Sequence, residues 1–150
     1  MITGLHHTGI VVDDLDVMVR FYTEELGLSV LLELHSVAPP EGNHTGIPNA
    51  RRKLVFLGWT ESQHQIELVR YLDPPAPDGH VDKHRLGAGH ICFNVSDIRQ
   101  VYDTLKAKGV RFVTEPKFSD SPNGPIGVVY AQDPESNWLE LIQWPSGAGS

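Results

Sequence analysis

The chain has a single cysteine in 150 residues, Cys92. That excludes a disulfide within the chain and points to a reducing compartment, so a cytoplasmic protein is expected. Basic residues are also scarce. Twelve Lys and Arg face nineteen Asp and Glu, a formal net charge of −7, which argues against nucleic acid or an anionic membrane surface as the main partner. No apolar run approaches the roughly 20 residues that a transmembrane helix needs. The opening residues, Met1-Ile2-Thr3-Gly4-Leu5-His6-His7, have neither the basic nor the apolar region of a secretory signal. What remains is ordinary. An apolar share of 40% supports one globular domain of this length and excludes disorder over most of it.

The chain repeats itself. His7-Thr8-Gly9-Ile10-Val11-Val12-Asp13-Asp14-Leu15 has a counterpart in His90-Ile91-Cys92-Phe93-Asn94-Val95-Ser96-Asp97-Ile98, an offset of 90 − 7 = 83. Ile66-Glu67-Leu68-Val69-Arg70-Tyr71 matches Leu139-Glu140-Leu141-Ile142-Gln143-Trp144, an offset of 140 − 67 = 73. Two copies are too few for a solenoid, so a duplicated module is the better reading. Module one spans about residues 4–72 and module two about 88–145, joined by a Pro-rich linker at 73–87 and followed by a flexible tail at 146–150.

Each module reads as a strand, a helix and further strands. Alternating segments at 5–12 and 89–95 run into Asp residues suited to capping helices at about 14–26 and 97–108. Leu15, Val19, Tyr22 and Leu26 form the inward stripe of the first helix, and Ile98, Val101, Tyr102 and Leu105 that of the second, with Gly27 and Gly109 as stops. Further strands are expected at 28–35, 53–58 and 64–71, then at 110–114, 127–132 and 138–144. Segment 36–52 reads as a long loop.

Strand alternation decides which side chains share a face. Thr8, Ile10 and Val12 suit packing against a helix, which leaves His7 on the other side with Gly9. His90 likewise opposes Ile91 and Phe93. Glu67 and Glu140 each stand between core-facing Ile or Leu neighbours. Two imidazoles and two carboxylates could converge on a divalent metal, and a mixed nitrogen and oxygen set suits Zn, Mn, Fe, Co or Ni. Singly, a strand histidine is more often a packing residue than a ligand. Recurrence at matching positions favours ligation, but duplication can also repeat residues for folding reasons, and the pattern alone leaves both readings open.

These residues resemble the vicinal oxygen chelate superfamily, which includes glyoxalase I, methylmalonyl-CoA epimerase, extradiol dioxygenases and bleomycin-resistance proteins. The resemblance is carried by His7-Thr8-Gly9-Ile10 with Asp14-Leu15, Phe21-Tyr22, Leu26-Gly27, Ile66-Glu67-Leu68, Gly89-His90-Ile91, Asp133-Pro134 and Leu139-Glu140-Leu141-Ile142. It implies an α+β fold in which two βαβββ modules form a cupped mixed sheet. It places one divalent metal per site, with His7, Glu67, His90 and Glu140 as ligands, and it implies a homodimer.

A Glu at the second ligand position is similar to glyoxalase I and the epimerase. The resemblance therefore implies an isomerase or lyase that stabilises an enolate of a small oxygenated substrate, with Glu140 as base and Glu67 as its acid or base partner. Val11 and Tyr71 stand where bacterial glyoxalase I has glutathione-binding Arg and Asn, which counts against glutathione. The alternatives are an iron-dependent extradiol-type dioxygenase and a non-catalytic binding protein of the resistance type. Cys92 and Trp138 are expected to line the same face as packing residues, and Arg70 to be a surface residue. No other histidine is assigned to the metal.

Overall fold

Two aspartates set the start of the two helices. In the computed structural model, which describes residues 1–77 and 79–145, the Asp14 carboxylate accepts from the Val17 amide at 3.0 Å. Asp97 accepts from Arg99 and Gln100 at 3.1 and 3.0 Å. Each satisfies amides that the first helical turn leaves without a partner. The tail expected at 146–150 lies outside the described residues.

The chain divides into two compact units, Met1–Asp78 and Gly79–Ser150. The first holds β1 (His7–Val11), α1 (Leu15–Arg20), β2 (Ser29–Val37), β3 (Arg51–Gly58) and β4 (Gln65–Asp73). Its sheet order is β1-β4-β3-β2, with β1 parallel to β4 and the other pairs antiparallel. Parallel neighbours need a crossover connection, which α1 with the β2–β3 hairpin supplies.

The second unit holds β5 (Ile91–Asn94), α2 (Ile98–Ala107), β6 (Arg111–Phe112), β7 (Lys117–Ser119), β8 (Ile126–Gln132) and β9 (Trp138–Gln143). Its order is β5-β9-β8-β6, with β7 also on β8 and β5 parallel to β9. The fold class is thus α+β, with one mixed sheet in each module. Among the described residues no helix is long and apolar enough to cross a membrane.

The structure corrects the expected helix stripe. After Arg20, α1 widens into a π-helical turn, Phe21–Glu25, and the buried residues are Leu15, Met18, Phe21 and Tyr22. Val19, within α1, and Leu26 are only half-buried; for Leu26 the reason is the wider turn before it, which rotates the later side chains. Met18 and Tyr22 are fully buried, and such a side chain contributes roughly 1.5–3 kcal/mol relative to exposure. Gly27 ends the turn with φ of +77°.

In the second unit Ile98, Tyr102 and Leu105 are buried as expected, while Val101 is half-buried. The Gln143 side chain accepts from the Ile98 amide at 2.8 Å and ties the helix start to β9. The loop expected at 36–52 shortens to 38–50, since β2 runs to Val37 and β3 starts at Arg51. The strand expected at 110–114 shrinks to Arg111–Phe112, and a further three-residue strand, β7, follows it.

Candidate metal-binding site

Parallel pairing places each histidine beside its glutamate. In the first module β1 and β4 pair Gly9 with Glu67 and His7 with Gln65. His7 and Glu67 therefore share a face, one step apart diagonally. His7 Nε2 lies 3.3 Å from Glu67 Oε2. The second module repeats this. Cys92 pairs with Glu140, and His90, one residue before β5 rather than within it, places Nε2 2.8 Å from Glu140 Oε2. In both pairs the histidine is partly open to solvent and the glutamate is more enclosed, at 15 and 16% side-chain exposure. A metal reached from solvent would meet donors in that state.

The strand next to each glutamate supplies an aromatic ring. Phe56 pairs with Glu67, and its ring stands edge-on to His7 at 5.4 Å between centroids. Tyr130 pairs with Glu140, and its ring is 5.2 Å from that of His90. The repeat therefore extends to residues around the pairs, but with different chemistry. Around Glu67 stand Gly9 and Phe56, neither with a polar side chain. A Cβ on Gly9 would sit 3.2 Å from Glu67 Oε2, so the glycine leaves room for the carboxylate.

Around Glu140 stand Cys92 and Tyr130, both with protons to donate. The Tyr130 hydroxyl lies 3.4 Å from His90 Nε2. Although Cys92 reaches solvent, desolvation and the neighbouring Glu140 charge push its thiol up to about 11, so it stays protonated at neutral pH. Desolvation, then Glu140, raise the Tyr130 phenol as well.

His6, absent from the expected site, bonds His7 through Nδ1 to Nδ1 at 2.8 Å. That contact orients the ring so that Nε2 faces Glu67, as the outer partner of a ligating histidine does. The adjacent His6-His7 pair was the available signal. Tyr130 and Phe56 were hidden for another reason. Phe56 lies eleven residues before Glu67 and Tyr130 ten before Glu140, so the aromatic match drops out of register when the glutamates are aligned.

Trp138 is half-buried. Its indole donates to the Val81 carbonyl at 3.2 Å, and Lys83 Nζ stands 4.8 Å over the ring. His64 bonds Thr8 at 2.8 Å, away from His7 along β1's alternation. Among the described residues no group of three or more His, Cys, Asp or Glu forms a metal cluster. The local units are the two pairs, each an imidazole and a carboxylate, and that donor chemistry fits a borderline divalent ion.

A duplicated α+β module with one His–Glu pair per copy defines the class of protein. Residues 4–141 match the Glyoxalase/Bleomycin resistance protein/Dioxygenase superfamily, and the chain belongs to that family. It is 33% identical to a probable lactoylglutathione lyase of Synechocystis, covering 95% of this chain and 96% of that protein. It is 30% identical to the lactoylglutathione lyase of Schizosaccharomyces pombe over 92% of this chain and 46% of that protein, so the chain spans about half the length of this yeast relative. A glyoxalase family protein from Bacillus cereus has the same fold, with a TM-score of 0.81 over 95% of each chain at 23% identity.

Proposed function

We propose that this protein is a divalent-metal-dependent lyase or isomerase of the glyoxalase type, acting on a small oxygenated substrate. His7, Glu67, His90 and Glu140 are the ligands of one metal, which is Zn, Ni, Co, Mn or Fe. The observation that carries the reading is the recurrence of one geometry, His Nε2 within 3.3 and 2.8 Å of a Glu Oε2, in both modules. The relatives named lactoylglutathione lyase support the same reaction class.

Bound there, a divalent metal supplies Lewis acidity that stabilises negative charge on substrate oxygens. The chain supplies the proton chemistry. Glu140 takes a proton from the carbon next to a substrate carbonyl, and the C–H electron pair moves into the carbonyl to give an enolate. Where that carbon bears a hydroxyl, loss of the hydroxyl proton and delivery of a proton to the former carbonyl carbon, with Glu67 as partner, complete the isomerisation. Where it bears none, return of a proton to the opposite face of the same carbon completes an epimerisation. His6 holds the His7 imidazole in place through Nδ1, which leaves Nε2 for the metal.

Metal content tests the ligand assignment. Protein purified without added metal should carry about one divalent ion per chain by elemental mass spectrometry. His7→Ala and His90→Ala should each strip it while circular dichroism stays native. Full metal content in either variant would remove these residues from the ligand set.

A further inference from the structure

The face of the first module that bears Glu67 leads to a buried arginine. Strands β3 and β4 pair Phe56 with Glu67, Leu54 with Val69 and Arg52 with Tyr71. Arg52 therefore shares the face of Glu67 four residues further along, about 13 Å away at ~3.3 Å per residue. It is 6% exposed. One guanidinium nitrogen, Nη2, donates to Ser36 Oγ at 3.2 Å and lies 3.4 Å from His44 Nε2. The guanidinium carbon sits 5.7 Å from the centre of the Tyr71 ring. The Nε–H is buried with no hydrogen-bond partner, and among the described residues no carboxylate forms an ion pair with Arg52. Its neighbour Arg51, on the other side of the strand, does have one, with Asp73 at 3.9 Å.

A guanidinium keeps its charge at every physiological pH. Burying such a charge is strongly unfavourable unless an opposite charge or a full set of acceptors meets it. Here the chain provides a hydroxyl, an imidazole and an aromatic face, which leaves most of the five-donor fork unused. That fork matches planar and tetrahedral oxyanions.

We propose that Arg52 is the receptor for an anionic group, carboxylate or phosphate, on the small-molecule ligand. The group enters at His44, which is exposed on the 38–50 loop and whose 3.4 Å contact is the weakest of the set. The proposal that the rest of the ligand extends towards Glu67 rests on the function proposed above, and it makes the substrate an elongated anion rather than a compact hydroxyketone. The anion site itself does not depend on that reading.

Titration of the metal-free full chain with sodium phosphate, and separately with sodium acetate, tests this at ionic strength held constant with sodium chloride. The readout is the Arg52 Nε–Hε signal in nitrogen-15 NMR, assigned by its loss in Arg52→Lys. A saturable shift with phosphate or acetate is expected, and the tighter of the two identifies the group. In the variants, which lack that signal, binding is followed by the backbone amide signals of Ser36 and Tyr71, which wild type and variants share, and Arg52→Met should weaken it at least tenfold. Where Met does not fold, Arg52→Lys, which keeps the charge without the fork, should still bind about tenfold more weakly than wild type. No shift beyond the chloride control with either anion, or unchanged binding in the folded variant, overturns the proposal. Because the protein is metal-free, a failed metal assignment leaves this result standing, and a failed titration leaves the metal assignment standing.

Discussion

At the scale of single residues, the two glutamates occupy matched positions in unlike surroundings. Glu140 has His90 at 2.8 Å and two protic neighbours, Cys92 and Tyr130. Glu67 has Gly9 and Phe56 at the same places. The two protic neighbours give Glu140 partners that Glu67 lacks, and this difference is why Glu140 rather than Glu67 is proposed as the base. Glu140→Gln should lower turnover by about 10²–10⁴-fold, the usual contribution of a general base, while part of the metal stays bound through the amide oxygen. Deuterium uptake from D₂O into a panel of hydroxyketones, ketoacids and acyl thioesters measures this before the substrate is known. Equal uptake by wild type and variant would move the base to Glu67. Product formation that needs oxygen, without deuterium uptake, would replace the isomerase with a dioxygenase. The four ligand candidates were legible in the sequence because alternation and duplication act on β1, β4 and β9, which carry His7, Glu67 and Glu140, and on the segment that leads into β5, which carries His90. Their neighbours were not, because Tyr130 and Phe56 reach the glutamates through strand pairing.

At the scale of elements, helices and hairpins were legible where a residue type has a local reason to be there. Asp14 and Asp97 cap as expected, and Gly109, with φ of +93°, ends the second helix as Gly27 ends the first. The π-helical turn at Phe21–Glu25 carries no composition signal, and neither does β7, whose three residues are too few to show alternation. β7 is nonetheless tightly placed. It pairs Phe118 with Gly127 of β8, and a Cβ at Gly127 would lie 2.9 Å from the Phe118 ring and 3.0 Å from Ile98 Cγ2. Ile98 is fully buried and has no room to give, while Phe118, 41% exposed, lies under the Arg99 guanidinium at 4.7 Å. Gly127→Ala should therefore destabilise the fold by about 1–3 kcal/mol, the range for an overpacked site. Urea denaturation followed by circular dichroism measures it, and a stability equal to wild type would show that Phe118 moves aside at no cost. The turn between β8 and β9 holds β9 in place: buried Asp133 accepts from the amides of Glu135 and Asn137 at 3.0 and 2.8 Å, and from the Asn137 side chain at 2.8 Å. The hairpin that presents Glu140 is thus fixed at its tip.

At the scale of the whole molecule, the open question is what covers the edges of the sheets. In the first module β2 is an edge strand of nine residues, and Val30, Leu32, Leu34 and Val37 on it are 42 to 72% exposed. A long apolar edge is a template for pairing with another chain unless something protects it, and β2 carries only Glu33 as a charged residue. We therefore expect a homodimer in solution, with β2 of the first module in the interface. Sedimentation velocity across a concentration series should show a species of twice the chain mass. Leu32→Lys with Leu34→Lys should convert it to monomer with the fold retained, since both positions already tolerate solvent. A wild-type protein that remains monomeric at high concentration overturns the expectation. A dimer unaffected by the double substitution places the interface elsewhere. Mixing then shows which chains supply the ligands. When His7→Ala and His90→Ala proteins are unfolded together and refolded, every chain lacks one ligand. If each metal takes both its pairs from one chain, no complete set can form and metal stays absent. If the pairs come from two chains, each mixed dimer regains one complete set, His7 and Glu67 from one variant with His90 and Glu140 from the other. Metal recovery to about one ion per mixed dimer, against none in either variant alone, would assign the site to the assembly rather than to the single chain.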